Sequence, residues 1–506
     1  MALAPARNAW LGNGLTHHLG EPRVHSFTSP IGEMIPLIGE SVHQGLFLLK
    51  FTALIASAMA IYYAYRIGSI LKFHWAAQIL LLSYLATDQL QIFFGMSGME
   101  TQIAATIFLA TLYYLLEERW ELLGLTAGLG MLVRPEFVFC IAAIGLFMLA
   151  KHPRKLPTVI GIFLCVITPW YLFAYFYYGS VIPNTILAKS VAGRFGPFKS
   201  SPSEVWIYFK NSWENIAPFK EWYFEEEAPV PVFIIQAAVL MVLAMTIFGI
   251  VCAFLKKEWR LVTIAGIVIL FFLYRSLSRL SVYFMWYLPP FMALLLVIAA
   301  YGLSEIGWKN SKAAVSISVF LAIMYAMHIP FSFAGEREIQ EKLECDVRYK
   351  TGAILNSMMG ASDTAVLEPL GYVGYAAFNK TIYDYPGLSS RHVVQAYSHM
   401  KGFSLVDLID ELQPSFVALR QPEVKWLQDQ HPDTAANYAQ VADIKLADGV
   451  TFKKWGYSSA KEFYDQEYLI MQRVAPPTEL GKQISPFRLE ATDVYGICKN
   501  IPSTIF

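Results

Sequence analysis

Apolar positions run in long blocks through the first two thirds of the chain, with short polar stretches between them. Ten blocks have the continuity of helices crossing ~30 Å of hydrocarbon. They are roughly 44–66, 73–93, 99–116, 120–134, 136–150, 156–178, 230–254, 260–278, 283–303 and 312–331. The fourth and fifth are short and split by Arg134-Pro135. One broken or re-entrant element is the alternative there, and it changes the parity of crossings. Residues 1–43 are polar and rich in Pro and Gly, and 179–229 form a long loop between the sixth and seventh blocks. That loop carries an amphipathic aromatic stretch, Val205–Phe209, suited to a helix lying along a membrane face.

After about 332 the pattern changes. Val366 to Tyr375 reads as strand, turn and helix start, and Thr381–Asp384 as a short strand before a Pro386-Gly387 turn. Leu405–Leu412 reads as a helix and Phe416–Leu419 as a short buried strand. Alternation of this kind predicts a small α/β domain. The expected fold is thus an α-helical polytopic membrane protein of about ten spans with a C-terminal α/β domain. Its parts are an N-terminal segment 1–43, a membrane module 44–331 with the loop 179–229, and a domain 332–506.

Charge sharpens this division. Only 15% of the 506 residues are charged and 56% are hydrophobic, against about 25% charged in soluble domains. Residues 331–506 hold 39 of the 78 charged side chains, and residues 1–330 hold the other 39 across nearly twice the length. Lys+Arg and Asp+Glu are equal at 39 each, so no basic excess favours nucleic acid. With residues 1–43 outside, the inside connections hold eleven Lys/Arg, from Arg66 and Lys72 to Lys309 and Lys312. The short outside connections hold only Arg134, Arg275 and Arg279. The positive-inside rule therefore places the C-terminal domain outside the cytoplasmic membrane. Residues 1–43 contain no signal-peptide apolar core. A first transmembrane helix is accordingly expected to precede them in a longer form of the protein.

Candidate chemistry lies at the outer edge of the spans. Glu100, in Gly98-Met99-Glu100-Thr101, is a site carboxylate or a favourable charge at a helix N-terminus. Arg134 and Glu136, around Pro135, form a structural pair or bind phosphate and sugar. Lys189, with Asn184, is a solvated loop residue or a lipid-phosphate ligand. Arg275 and Arg279, with Tyr283, Trp286 and Tyr287, are snorkelling interface residues or a phosphate site beside aromatic rings. Asp88 sits near a span end or pairs inside the bundle. Cys140, Cys165 and Cys252 lie in spans, and a Cys345–Cys498 disulfide is plausible in the outer domain. No P-loop, Gly-x-Gly-x-x-Gly, His-Glu-x-x-His or Gly-x-Ser-x-Gly occurs, and no metal-ligand spacing is present.

Several of these segments share an order with one family. Thr28-Ser29-Pro30, Gly98–Thr101, Arg134-Pro135-Glu136, Pro169-Trp170 through Tyr178-Gly179, Pro183-Asn184-Thr185 to Lys189, Phe284–Tyr287 and Asp384–Leu388 follow one another as in GT-C-type bacterial membrane glycosyltransferases. The chain most resembles the arabinofuranosyltransferase-like and polyprenyl-phosphate-sugar transferases, over most of residues 7–395. The resemblance implies an inverting enzyme at the outer face of the cytoplasmic membrane. It would move sugar from a polyprenyl-phosphate donor to an envelope glycan, lipid or protein. It implies donor phosphate and sugar binding by Arg134, Glu136, Asn184, Lys189, Arg275, Arg279, Trp286 and Tyr287, and leaves a divalent metal undecided. In that family the catalytic acid is usually an Asp of an acidic pair, just after the first span and before a segment like Ala6–Gly14. Here no Asp precedes Asp88. The resemblance thus implies either a longer protein or an inactive chain, with Glu100 the best carboxylate remaining. A non-catalytic scaffold and a secondary transporter are the competing readings. Transport fits less well, since no convincing internal repeat is visible.

Overall fold

The computed structural model describes residues 2–21, 23–192, 201–211, 230–278, 285–330, 333, 337, 339–400, 402–446 and 466–474. It divides into two compact units. One comprises Phe27–Val181 and Phe195–Ser332, the other Met1–Ser26, Ile182–Arg194 and Phe333–Phe506.

The chain opens with α1 (Leu3–Trp10) and, after an extended stretch, α2 (Pro30–Glu40). Ser29 caps α2, accepting a hydrogen bond from the Gly32 amide at 3.0 Å, and Pro30 pre-sets its first turn. The helical body runs α3 (Gly45–Ile70), α4 (Trp75–Thr87), α5 (Gln89–Met96), α6 (Thr101–Leu116), α7 (Trp120–Val133), α8 (Val138–Lys151) and α9 (Leu156–Tyr178). It continues, after α10 (Asn184–Ala192) and α11 (Pro202–Asn211), as α12 (Val232–Leu255), α13 (Trp259–Leu277), α14 (Leu288–Lys309) and α15 (Ser311–Ala326). Each of the ten expected blocks therefore contains helix. Crossing capacity is unequal, however. Among the described residues, five helical segments are long and apolar enough to span a membrane, and a sixth arises if α4 and α5, bent by 42°, form one broken span. Helices α6, α7 and α15 have 16, 14 and 16 residues. At ~1.5 Å per residue each falls short of the ~30 Å hydrocarbon layer.

The breaks have identifiable causes. Asp88 ends α4 in an extended conformation and caps α5, its Oδ1 accepting from the Leu90 and Gln91 amides at 3.1 Å each. Pro135 lacks an N–H and forces Arg134 to an extended conformation, so α7 stops and a 3₁₀ turn leads into α8. The central helix is α14, buried along most of its length and packed against α4, α6, α12, α13 and α15. Small residues set the closest approaches. A Cβ on Gly128 of α7 would lie 2.6 Å from the Val166 Cβ of α9. One on Gly302 of α14 would lie 2.2 Å from the Met245 carbonyl oxygen of α12.

The other unit holds a five-stranded sheet in the order β2-β1-β3-β5-β4. Its strands are β1 (Thr364–Leu367), β2 (Thr381–Asp384), β3 (Phe416–Leu419), β4 (Tyr438–Lys445) and β5 (Glu467–Arg473). Strands β2, β1 and β3 are parallel, and β5 and β4 run antiparallel. Apolar side chains cover both faces, with Leu343, Leu355 and Val373 in one cluster and Val393, Val406 and Ile409 in the other. The expected α/β domain is present, and its helix at Leu405–Leu412 and strands at Thr381–Asp384 and Phe416–Leu419 match the sequence pattern. The N-terminal segment lies against this sheet's edge strand. His18 Nδ1 accepts from the Ile382 amide of β2 at 3.2 Å, and the Asn8 amide donates to the Phe378 carbonyl at 2.9 Å. Covering β2 in this way removes an exposed edge. Cys345 is disulfide-bonded, and its expected partner, Cys498, lies outside the described residues.

Candidate active site

A polar cluster forms in the helical unit where α6 begins and α7 ends. Gly98 turns the chain between α5 and α6 with φ +74°, which a side chain would resist. A Cβ there would also lie 3.7 Å from Lys50 Cγ on α3. Beyond this turn Glu100 occupies the N-cap position of α6, but its carboxylate makes no cap hydrogen bond. It accepts instead from Arg134 Nη2 at 3.0 Å. The same nitrogen donates to Thr101 Oγ1 at 3.1 Å, and Thr101 donates to the Trp286 carbonyl at 3.4 Å. The guanidinium lies over the Tyr287 ring, 5.0 Å from its centroid. Arg134 is 3% exposed, and its Nε has no hydrogen-bond partner among the described residues. A buried guanidinium with an open donor, one paired carboxylate and an aromatic face is suited to an anionic group with a sugar beside it.

A second carboxylate is carried by α2, the helix whose Gly32 packs against Glu100. Gly32 of α2 sits so that a Cβ would be 3.4 Å from Glu100 Cβ. The next residue, Glu33, is 2% exposed. Tyr178, at the end of α9, donates to Glu33 Oε1 at 3.2 Å, and Oε2 has no partner. Burial pushes the Glu33 carboxyl up to about 8, and the Tyr178 hydrogen bond pulls the other way.

The predicted residues are distributed as follows. Glu100, Arg134, Trp286 and Tyr287 meet in one cluster. Arg134 pairs with Glu100 and not with Glu136, because residues two apart across a 3₁₀ turn do not face each other. Glu136 has a buried carboxylate oxygen without a partner and acts electrostatically on Tyr274. Arg275, at the end of α13, has its guanidinium over the Phe271 ring at 5.7 Å. Arg279 and Tyr283 lie outside the described residues.

Asn184 and Lys189 belong to the other unit, on α10. Asn184 is 2% exposed, and its amide donates to the carbonyls of Gly387, Leu388 and Ser390 at 2.8, 3.2 and 3.3 Å. It thereby holds the turn after β2. Lys189 is half-buried. The same turn is braced by Asp384, whose carboxylate accepts from the Leu388 and Ser389 amides and the Ser389 hydroxyl. Ser390 donates to Glu21 at 2.8 Å, and burial raises that carboxyl to about 7. Among the described residues, no three His, Cys, Asp or Glu side chains converge as metal ligands do.

Sequence reasoning missed Glu33, and it gave Tyr178 no role of its own. The signal for Glu33 was one charge inside an apolar run, in Pro30-Ile31-Gly32-Glu33-Met34-Ile35. Charges so placed are costly unless they serve a purpose.

Taken together, the apolar helices and the sheet unit define a multi-pass membrane protein with a small α/β domain. A family model described as a domain of unknown function, DUF8728, matches residues 336–471. No curated protein is significantly similar. Among solved structures, the chain is similar to ArnT from Cupriavidus metallidurans bound to undecaprenyl phosphate. The identity there is 10%, with 94% of each chain covered and a TM-score of 0.49. It is also similar to the Archaeoglobus fulgidus oligosaccharyltransferase in the apo form. That match has 12% identity, covers 90% of this chain and 70% of the other, and has a TM-score of 0.48. Likeness at this level leaves the chemistry of the chain to its own residues.

Proposed function

We propose that this protein is a membrane glycosyltransferase that moves sugar from a polyprenyl-phosphate donor to an envelope glycan, lipid or protein. The reaction takes place at the outer face of the cytoplasmic membrane, with the α/β domain on that side. The observation that carries the reading is the buried Arg134, held by Glu100 and Thr101, stacked on Tyr287 and retaining an unbonded Nε. In the reaction an acceptor hydroxyl attacks the anomeric carbon and the lipid phosphate departs, inverting the configuration. Arg134 meets the growing negative charge on the phosphate, where a desolvated cation acts most strongly. Arg275 contributes a second cation at the end of α13. Glu100 keeps the guanidinium oriented, and Tyr287 and Trp286 offer ring faces to the sugar. The spans accommodate the polyprenyl tail.

The test uses membranes containing the full chain, with a panel of radiolabelled sugars, arabinofuranose included, on undecaprenyl and decaprenyl phosphate. Label should pass to a membrane acceptor, and Arg134→Ala should abolish the transfer. Undiminished transfer by Arg134→Ala would refute the assigned role. A non-catalytic scaffold is the second reading, favoured by the closed Glu100–Arg134 pair. It requires donor binding without transfer.

A further inference from the structure

Glu33 is a deeply buried carboxylate whose chemistry the charge cluster does not use. It is 2% exposed, it accepts one hydrogen bond from Tyr178, and its Oε2 is unbonded. Buried polar atoms are rarely left so, and an unbonded one calls for a ligand or a proton-handling role. Its backbone neighbour Gly32 is held against Glu100 by Ser29, whose hydroxyl caps the helix. Glu33 is therefore the residue that follows the one packed against Glu100.

Two carboxylates in unlike surroundings divide acid–base work. Glu100 is bonded to the Arg134 guanidinium, which occupies one of its carboxylate oxygens. Among the described residues no cation is bonded to Glu33. We infer that Glu33 is the base that takes the proton from the acceptor hydroxyl, with Tyr178 positioning it through Oε1. This assignment rests on the glycosyltransferase reading above. In the step, the hydroxyl oxygen bonds to the anomeric carbon while the bond from that carbon to the phosphate oxygen breaks. The electron pair leaves with the lipid phosphate, and the hydroxyl proton moves to Glu33 Oε2.

Tyr178 on α9 is bonded to Glu33, Lys50 is carried by α3, and Arg134 at the end of α7 is bonded to Glu100 at the start of α6. Desolvation dominates and holds the carboxyl at about 8, close to working pH as base catalysis favours. Transfer should therefore rise with pH and level off above about 8. Removing the Tyr178 hydroxyl takes away a bond that favours the ionised form, and the rising limb should move to higher pH.

The experiment uses the same membranes and donor panel, with kcat/KM followed from pH 5.5 to 9.5. Glu33→Gln should lower transfer by about 100-fold or more and abolish the rising limb. Glu33→Asp should keep a reduced rate with the limb intact, and Tyr178→Phe should shift the limb upward. Folding of each variant is checked by pulse proteolysis. Transfer by the unaltered chain together with near-normal transfer by folded Glu33→Gln overturns the assignment and leaves the glycosyltransferase reading standing. Absence of transfer by the unaltered chain across the panel overturns both.

Discussion

Replacing Glu33 with Gln should make this protein more stable, and increasingly so as pH rises. The folded state holds the Glu33 carboxyl at about 8 against an ordinary 4.5, because burial disfavours its charge. The sign follows from proton binding. Between pH 4.5 and 8 the folded chain retains a proton that the unfolded chain has released. Stability is therefore lost as pH rises through that window, and the loss is complete above the folded value. At ~1.4 kcal/mol per pH unit, the full cost is about 5 kcal/mol, and by pH 7 about 3 kcal/mol. Gln has the same shape, keeps the Tyr178 hydroxyl bonded through its carbonyl oxygen and carries no charge to desolvate. In the acidic range the two proteins should differ by about 1 kcal/mol or less, since a neutral acid and an amide leave similar groups unbonded. Pulse proteolysis in detergent at pH 5.5 and 8.5 measures the difference directly. Expected is a gap that opens by several kcal/mol in favour of Glu33→Gln at pH 8.5. Parallel behaviour of the two proteins across this range would refute the claim that Glu33 is neutral and desolvated in the fold.

Five further outcomes are expected. Arg134→Lys keeps the charge but loses the planar guanidinium that bonds Glu100 and Thr101 through Nη2 and lies over the Tyr287 ring, so donor use should fall by at least about tenfold with the fold intact. Arg134→Ala should in addition destabilise the helical unit by about 3–5 kcal/mol, by leaving Glu100 without its partner, as a thermal melt would show. Gly128→Val should cost about 1–3 kcal/mol, since a Cβ at that site already meets Val166 at 2.6 Å, and a normal melting temperature would contradict the close α7–α9 contact. Burial holds His18 at about 4, so the stability it contributes is lost as pH falls from 6.5 through 4, while its bond to the edge strand stays intact until the ring protonates near 4. The Ile382 amide should then lose hydrogen-exchange protection in acid, and a His18→Gln variant should not show that pH dependence. Asn184→Ala removes the donors that hold the Gly387–Ser390 turn and should speed amide exchange there, at a cost of about 1–3 kcal/mol.

Much of the architecture was legible along the chain because it depends on near neighbours in sequence. Apolar runs marked the helices of the body, Arg134-Pro135 marked a break, and alternation of strand and helix signals marked the α/β domain. Strands β4 and β5 escaped notice: β4 is largely exposed, so little apolar alternation marks it. Glu100 and Arg134 were both singled out, yet their mutual bond was not foreseen. Asn184 was singled out as a ligand for donor phosphate or sugar, and its amide instead holds three carbonyls of a turn some two hundred residues further on.

Sequence by itself determined which segments are apolar enough to be helical, where Pro and Asp interrupt them, and where charge becomes dense enough for water. These properties are local, set by side-chain polarity and backbone preference within a few residues. Tertiary structure alone decided which charges meet and which stay alone. It brought Glu100 to Arg134, set Glu33 beneath Tyr178 with an oxygen unbonded, and laid His18 along the edge of β2. Such partners lie tens to hundreds of residues apart, and their titration depends on desolvation by the packed body around them. A local pattern therefore identifies the charged residues, while only the folded protein establishes what each one can do.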